Sequence, residues 1–204
     1  MILWIAMGTD YDNKFNAPGW YNGYNDWIFE QAGRDADVAA QMAKETIKNN
    51  IYTYKDHPDW MVEYFYKKLQ SLWCDSMFQS LWSGPLEDSG QPVDSKVLNA
   101  FYHGEWPEQA AAVFMKAYVM LLFSLAAISA LRRRNQKSGC DYAYLYFVGG
   151  FLLHILWEAK SQYVYPYVVI LLPCCANEMS VIAERVRALA ETKFQKRIGE
   201  QEEC

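Results

Sequence analysis

Polar and apolar positions follow three different patterns along the 204 residues. From Asp35 to Asn50, apolar Val38, Ala39, Met42, Ala43 and Ile47 recur at helical spacing, with Asp35 placed to cap the first turn. Pro58 to Cys74 repeats that pattern, with Pro at a first-turn position, Asp59 and Glu63 early and Lys67–Lys68 later. Its stripe is Met61, Phe65, Leu69, Leu72 and Trp73, widened by Trp60, Tyr64 and Tyr66. Such a face suits either an ordinary core or a bilayer surface. A short helix follows over Ser95 to Tyr102. Residues 8–33, rich in Gly, Asn, Asp and aromatics, and residues 83–94 read as loop and linker.

Beyond residue 109 the pattern turns continuous. Ala110 to Leu131 is 22 residues with one charge, Lys116, long enough to cross about 30 Å of hydrocarbon. Arg132–Arg133–Arg134 stops it. Tyr142 to Trp157 and Tyr163 to Ile182 are shorter or interrupted, and the polar residues Glu158 to Gln162 join them into a helical hairpin, transmembrane or re-entrant. Gly149–Gly150 lets its two arms approach. The pattern therefore predicts an all-α membrane protein with about three transmembrane helices (110–131, 142–157, 163–182). A mostly helical extracytoplasmic domain (1–109) precedes them, and a cytoplasmic tail (183–204) follows.

Charge sharpens this division. Residues 1–110 carry 8 Lys/Arg against 16 Asp/Glu, while residues 111–204 carry 11 against 8. An acidic outer region gives nucleic acid no electrostatic footing, so the expected partner is the lipid bilayer. The basic clusters 132–137, 185–187 and 193–197 all fall on one side if the N-terminal region and the 158–162 turn lie outside the cell membrane. With no signal-peptide pattern in MILWIAMG, that orientation leads us to expect upstream spans, making the chain the C-terminal part of a larger multi-pass protein. The alternative is a complete small protein with a cytoplasmic N-domain. The five cysteines form no disulfide framework, and the three histidines have no metal-ligand spacing.

Chemistry concentrates in Gly149 to Pro173, where Glu158 and Lys160 stand between two apolar runs among Trp157, Tyr163, Tyr165 and Tyr167. Charges held at the edge of a bilayer are costly and point to function, although an ion pair that merely ends two helices would also account for them. No nucleotide-binding glycine loop, Ser/His/Asp spacing or paired helix carboxylates occur.

Glu158, Gln162–Tyr163, Pro166 and Pro173 resemble a late span of the C-type membrane glycosyltransferases, the protein-mannosyltransferase-like and aminoarabinose-transferase-like superfamily. Its members carry Glu, then a basic residue and Tyr, then two spaced prolines. LWIAMG (3–8) is similar to the outer-loop HWIMMG of Firmicutes members, with Leu3 in place of His. DWMVEYFYKKLQSLW (59–73) is similar to their pre-membrane helix. The resemblance implies transfer of a sugar from a polyprenyl-phosphate donor to an acceptor on the outer face. It also implies a donor site at Glu158, Lys160, Gln162 and Tyr163, with Lys160 standing in for the basic residue that Gln162 replaces. The family's base or metal-binding carboxylate lies in its first outer loop. The resemblance therefore assigns this chain no catalytic residue, no activity alone and no metal of its own, and it leaves a divalent metal open for the full-length enzyme. Two other readings stand beside it. One is a non-catalytic multi-pass assembly or transport protein. The other is a membrane-anchored carbohydrate-binding module, for which the GWYNGYNDW loop (19–27) suits stacking on sugars.

Overall fold

The computed structural model describes residues 1–11, 17–80, 95–102, 104–135 and 138–202, with side chains described up to residue 193. The predicted linker 83–94, part of the basic loop after the first long helix, and Cys204 lie outside the described residues. Among the described residues the chain is helical, with no strand.

Four helices build the N-terminal part: α1 (Ile2–Gly8), α2 (Tyr24–Gln31), α3 (Ala36–Asp56) and α4 (Pro58–Trp73). The start of α3 is fixed as expected, since the Asp35 carboxylate accepts from the backbone N–H of Asp37 and Val38 at 2.9 and 3.1 Å. Pro58 opens α4, where its missing N–H costs nothing. The region predicted as loop from 8 to 33 instead contains α2, entered from Gly23 in the left-handed conformation. Ile28 of α2 is buried, and α2 packs on α1 and α3. Tertiary burial thus makes a helix of a segment whose local composition favours turns.

Helix α5 (Lys96–Tyr102) leads into α6 (Trp106–Arg133), followed by α7 (Cys140–Leu156), a 3₁₀ turn (Ser161–Tyr163) and α8 (Tyr165–Glu202). Helices α6 and α7 both pack on α8. The joint core holds Leu122, Leu125, Ala143, Val168, Leu171 and Cys175. Of the predicted glycine pair, Gly150 makes the close approach, since a Cβ there would stand 2.1 Å from the Tyr167 ring, whereas Gly149 faces open space. Tyr167 is turned inward against α7 for the same reason.

Two of these helices are long and apolar enough to cross a membrane, α6 and the segment Ser161–Lys193, while α7 is a shorter apolar helix of 17 residues. Val113, Phe114, Met120, Leu121 and Leu131 of α6 are all more than half exposed. A core helix of a water-soluble protein would have these covered, so such a surface suits lipid. The helix that carries the third predicted span does not stop near Ile182: α8 runs on to Glu202 as one helix of 38 residues, through the segment predicted as a tail.

At the far end of this unit Glu178, buried in α8, takes a two-pronged contact from Arg132 at the end of α6. Nε lies 2.9 Å from Oε1, and Nη2 lies 2.7 Å from Oε2. The fork matches a carboxylate in plane and binds both oxygens. We expect Arg132→Ala and Glu178→Ala each to broaden the detergent gel-filtration peak of the purified chain. The exchanged pair Arg132→Glu with Glu178→Arg should recover part of the sharp peak. No recovery in the exchanged variant would show that the contact acts by shape and not by charge.

Candidate functional site: the charged turn and its helical cover

The C-terminal end of α7 delivers the chain into the turn Trp157 to Lys160, and the N-terminal helices close over it. The contact is backbone to backbone. Gly8, the last residue of α1, lies so close to the carbonyl ends of Leu156 and Trp157 that a Cβ would come within 2.4 Å of one oxygen. The Ala159 N–H donates to the Gly19 carbonyl at 2.8 Å. The indoles of Trp4 and Trp157 stack with centroids 6.1 Å apart and planes 13° from parallel.

Within this junction Glu158 is buried, 4% exposed. The Tyr163 hydroxyl donates to its Oε2 at 3.0 Å, and the Lys160 ammonium lies 3.6 Å from its Oε1. Below it, the ring of His154 stacks on Tyr163 at 5.7 Å, and His154 Nδ1 lies 2.9 Å from the Glu158 carbonyl. That carbonyl is an acceptor, so Nδ1 carries the proton and Nε2 faces the Tyr167 hydroxyl at 3.4 Å. Ser161 donates to Asp75, which ties the turn to the segment after α4.

Three of the four residues predicted for the donor site, Glu158, Lys160 and Tyr163, therefore share one constellation. Gln162 is exposed and lines the neighbouring hollow of about 430 Å³ with Ser76, Met77, Phe78, Met115 and Tyr165. The loop predicted for stacking on sugars joins the constellation from the other side. The Lys160 ammonium stands 5.9 Å from the centroid of the Tyr21 ring, within the range of a cation–π contact. The Tyr21 hydroxyl donates to Asp26, whose carboxylate raises the Tyr21 pKa and keeps the phenol neutral.

Lys68 was not singled out from the sequence, yet it is the largest fully buried side chain of the junction. The inward face of α4 is Tyr64, Lys68 and Leu72, at i, i+4 and i+8: of the predicted stripe Met61, Phe65, Leu69, Leu72 and Trp73, Leu72 is on this buried row, which Tyr64 and Lys68 complete. The position was legible as part of that row, but the residue type argued against burial. The Lys68 ammonium donates to the Gly8 carbonyl and, at 2.9 Å, to the Ile155 carbonyl. Tyr64 shares the Gly8 acceptor at 2.9 Å. The lysine stem runs under Gly19, where a Cβ would stand 2.5 Å from Cε, and φ there is +80°, so two demands favour glycine. Burial pushes the Lys68 pKa down to about 7, against the carbonyl ends of α1 and α7, which favour the cation. Burial likewise raises the Tyr64 hydroxyl, which stays a donor.

The described residues bring together no three His, Cys, Asp or Glu side chains able to hold a metal. The constellation can offer a charge-assisted hydrogen bond from Lys160, a carboxylate acceptor from Glu158 and an aromatic face from Tyr21. Comparison with family models, curated proteins and solved structures finds no match for this chain.

Proposed function

We propose that the chain is part of a multi-pass membrane glycosyltransferase and that the turn at Glu158 to Tyr163 binds a polyprenyl-phosphate-linked sugar on the outer face. The observation that carries the reading is a convergence. Tyr21, from the aromatic loop suited to sugars, and Lys160, the cation suited to a phosphate, meet over one buried carboxylate. Lys160 would hold the donor phosphate, Glu158 would accept from sugar hydroxyls while Tyr163 fixes it, and Tyr21 would lie against the sugar ring. The apolar surfaces of α6 and α8 would receive the bilayer, with the arginines near their far ends on the cytoplasmic side. Activation of an acceptor hydroxyl requires a positioned base or metal, and the proposal leaves that role to a part of the enzyme beyond residues 1–204.

A binding module without transfer is the second reading, and the Trp4–Trp157 stack beside Tyr21 favours it. Phosphate dependence separates the two. We expect the purified chain in nanodiscs to bind a polyprenyl-phosphate sugar, and Lys160→Ala to weaken that binding roughly ten- to a hundredfold, about 1.5–3 kcal/mol. Lys160→Arg should retain part of the affinity. Were Lys160 only the ion-pair partner of Glu158, Lys160→Ala and Glu158→Gln should both leave the affinity of the folded chain for the lipid-linked sugar nearly unchanged. Equal minor losses across the three variants would end the donor-site reading. Binding of free glycan as tight as that of the lipid-linked sugar would favour the module.

A further inference from the structure

A second cavity lies beside the junction, and its lining shares no residue with the Glu158 turn. Helices α1, α3 and α4 and the last residue of α7 enclose a groove of about 640 Å³, within the usual span of small-ligand sites, about 300–1,000 Å³. Its walls are apolar: Ile5, Ile47, Ile51, Met61, Phe65 and Leu156. The polar groups in its floor are engaged with one another. Thr9 donates to the Ile5 carbonyl at 2.8 Å, Tyr54 donates to the Thr9 carbonyl at 2.9 Å, and Asn50 reaches the Thr9 hydroxyl at 3.5 Å. The groove thus offers a ligand hydrocarbon contact and almost no hydrogen bonding inside. The charge among its lining residues is Lys55, which is exposed.

What reaches the groove follows from Leu156. On α7 it continues the row of Leu145, Leu152 and Leu153, all at least half exposed. That row is the outward face of a helix packed in the apolar unit, so the groove opens where hydrocarbon would end. Ile51, Met61 and Val62, also exposed, extend the apolar rim onto α3 and α4. A single hydrocarbon chain rising along α7 would pass from the bilayer into the groove without crossing water, and its headgroup would emerge beside Lys55.

We propose that this groove holds one acyl chain of an anionic phospholipid, with the Lys55 ammonium on the lipid phosphate. The aliphatic walls supply the affinity for the chain, and the rim cation supplies the preference for negative charge. The bound lipid would seat the N-terminal helices on the membrane surface at a fixed height.

The test uses the full 204-residue chain in phosphatidylcholine nanodiscs. These carry a small fraction of phosphatidylglycerol with a photoactivatable diazirine in one acyl chain, and adducts are mapped by peptide mass spectrometry. We expect adducts on α3 and α4 around Ile47, Ile51, Met61 and Phe65, besides those on α6 that any lipid-facing helix acquires. Ile51→Trp, at an exposed rim position, should fill the groove and cut the α3–α4 adducts to about a tenth while leaving the α6 adducts unchanged. Lys55→Gln should reduce groove labelling by phosphatidylglycerol about fivefold relative to a matched phosphatidylcholine probe, as expected for one basic residue near an anionic lipid. Adducts confined to α6, α7 and α8 in the unmodified chain would overturn the proposal, as would equal groove labelling in wild type and folded Ile51→Trp. Groove labelling by a diazirine polyprenyl phosphate, with none by the phospholipid probe, would also overturn it.

Discussion

Lys68→Ala is expected to lower the stability of the folded chain by about 3–5 kcal/mol, a loss typical of removing one member of a buried polar network. Two costs coincide at this position. The Ile155 carbonyl loses its side-chain donor while Gly8 keeps Tyr64, and a buried acceptor left unpaired costs about 1–3 kcal/mol. A stem that fills the space beneath Gly19 disappears, leaving a cavity. Lys68→Met restores the volume without the donor and should recover part of the loss. Denaturant titration followed by tryptophan fluorescence checks this, since Trp4 and Trp157 stack at the junction that the lysine holds. A Lys68→Ala chain as stable as wild type would show that the Ile155 carbonyl finds another donor.

The same lysine gives the stability a defined pH dependence. Its pKa in the folded chain, about 7, lies below the ordinary lysine value of 10.5. Between these values the unfolded chain holds a proton that the folded chain does not, so stability rises with pH across the window from about 7 to about 10.5. Below pH 7 both states are protonated and this contribution is flat. The gain across the window is on the order of 2–4 kcal/mol, reduced from the full shift by the carbonyl ends that favour the cation. In Lys68→Met that slope should vanish. A wild-type chain whose stability falls between pH 7 and 9 while the Met variant stays level would contradict the assignment.

Gly8→Ala is the second large effect, and its cause is steric. A methyl there would meet the Leu156 carbonyl oxygen at 2.4 Å and the Trp157 carbonyl carbon at 2.7 Å, both backbone atoms at the end of a packed helix. Neither can swing aside as a side chain would, so α1 must lift from α7. Overpacking of this kind costs about 1–3 kcal/mol and at times more. Here the lift also strips Tyr64 and Lys68 of their shared acceptor, so about 3 kcal/mol is expected. Limited proteolysis should cut the first twenty residues of the variant at protease levels that spare the wild type. Unchanged protection would place the strain elsewhere.

Local signals in the sequence and long-range structure divide cleanly in this chain. Asp35 and Pro58 announce the starts of α3 and α4, because caps and first-turn prolines act within one turn of chain. The apolar run before Arg132 announces α6 for the same local reason. Helix α1, with seven residues, is too short to persist alone. It exists through contacts with Tyr54, Tyr64, Lys68 and the end of α7, none of which its own sequence shows. The continuation of α8 past Ile182 was present in the Ala, Glu, Arg and Leu content of 183–191. A reading of hydropathy alone stops where the apolar residues thin out. Glu158, Lys160 and Tyr163 were legible as a group because they lie within six residues. Tyr21 and Lys68 reach the same place only through the fold, and for a lysine, frequency of burial argues in the wrong direction.

The clamp at Gly8 also sets an order in time. Helix α1 is finished by a partner that leaves the ribosome well after it, since the carbonyls that receive it belong to Leu156 and Trp157. Throughout synthesis of the intervening helices, α1 has no settled place, and its apolar residues stay open to chaperones or to the wrong neighbour. Lys68 waits with it, solvated and fully charged, and gives up water only when both helix ends converge. Closure of this joint is therefore a late event in biogenesis, completed once α7 has been made and its end stands ready.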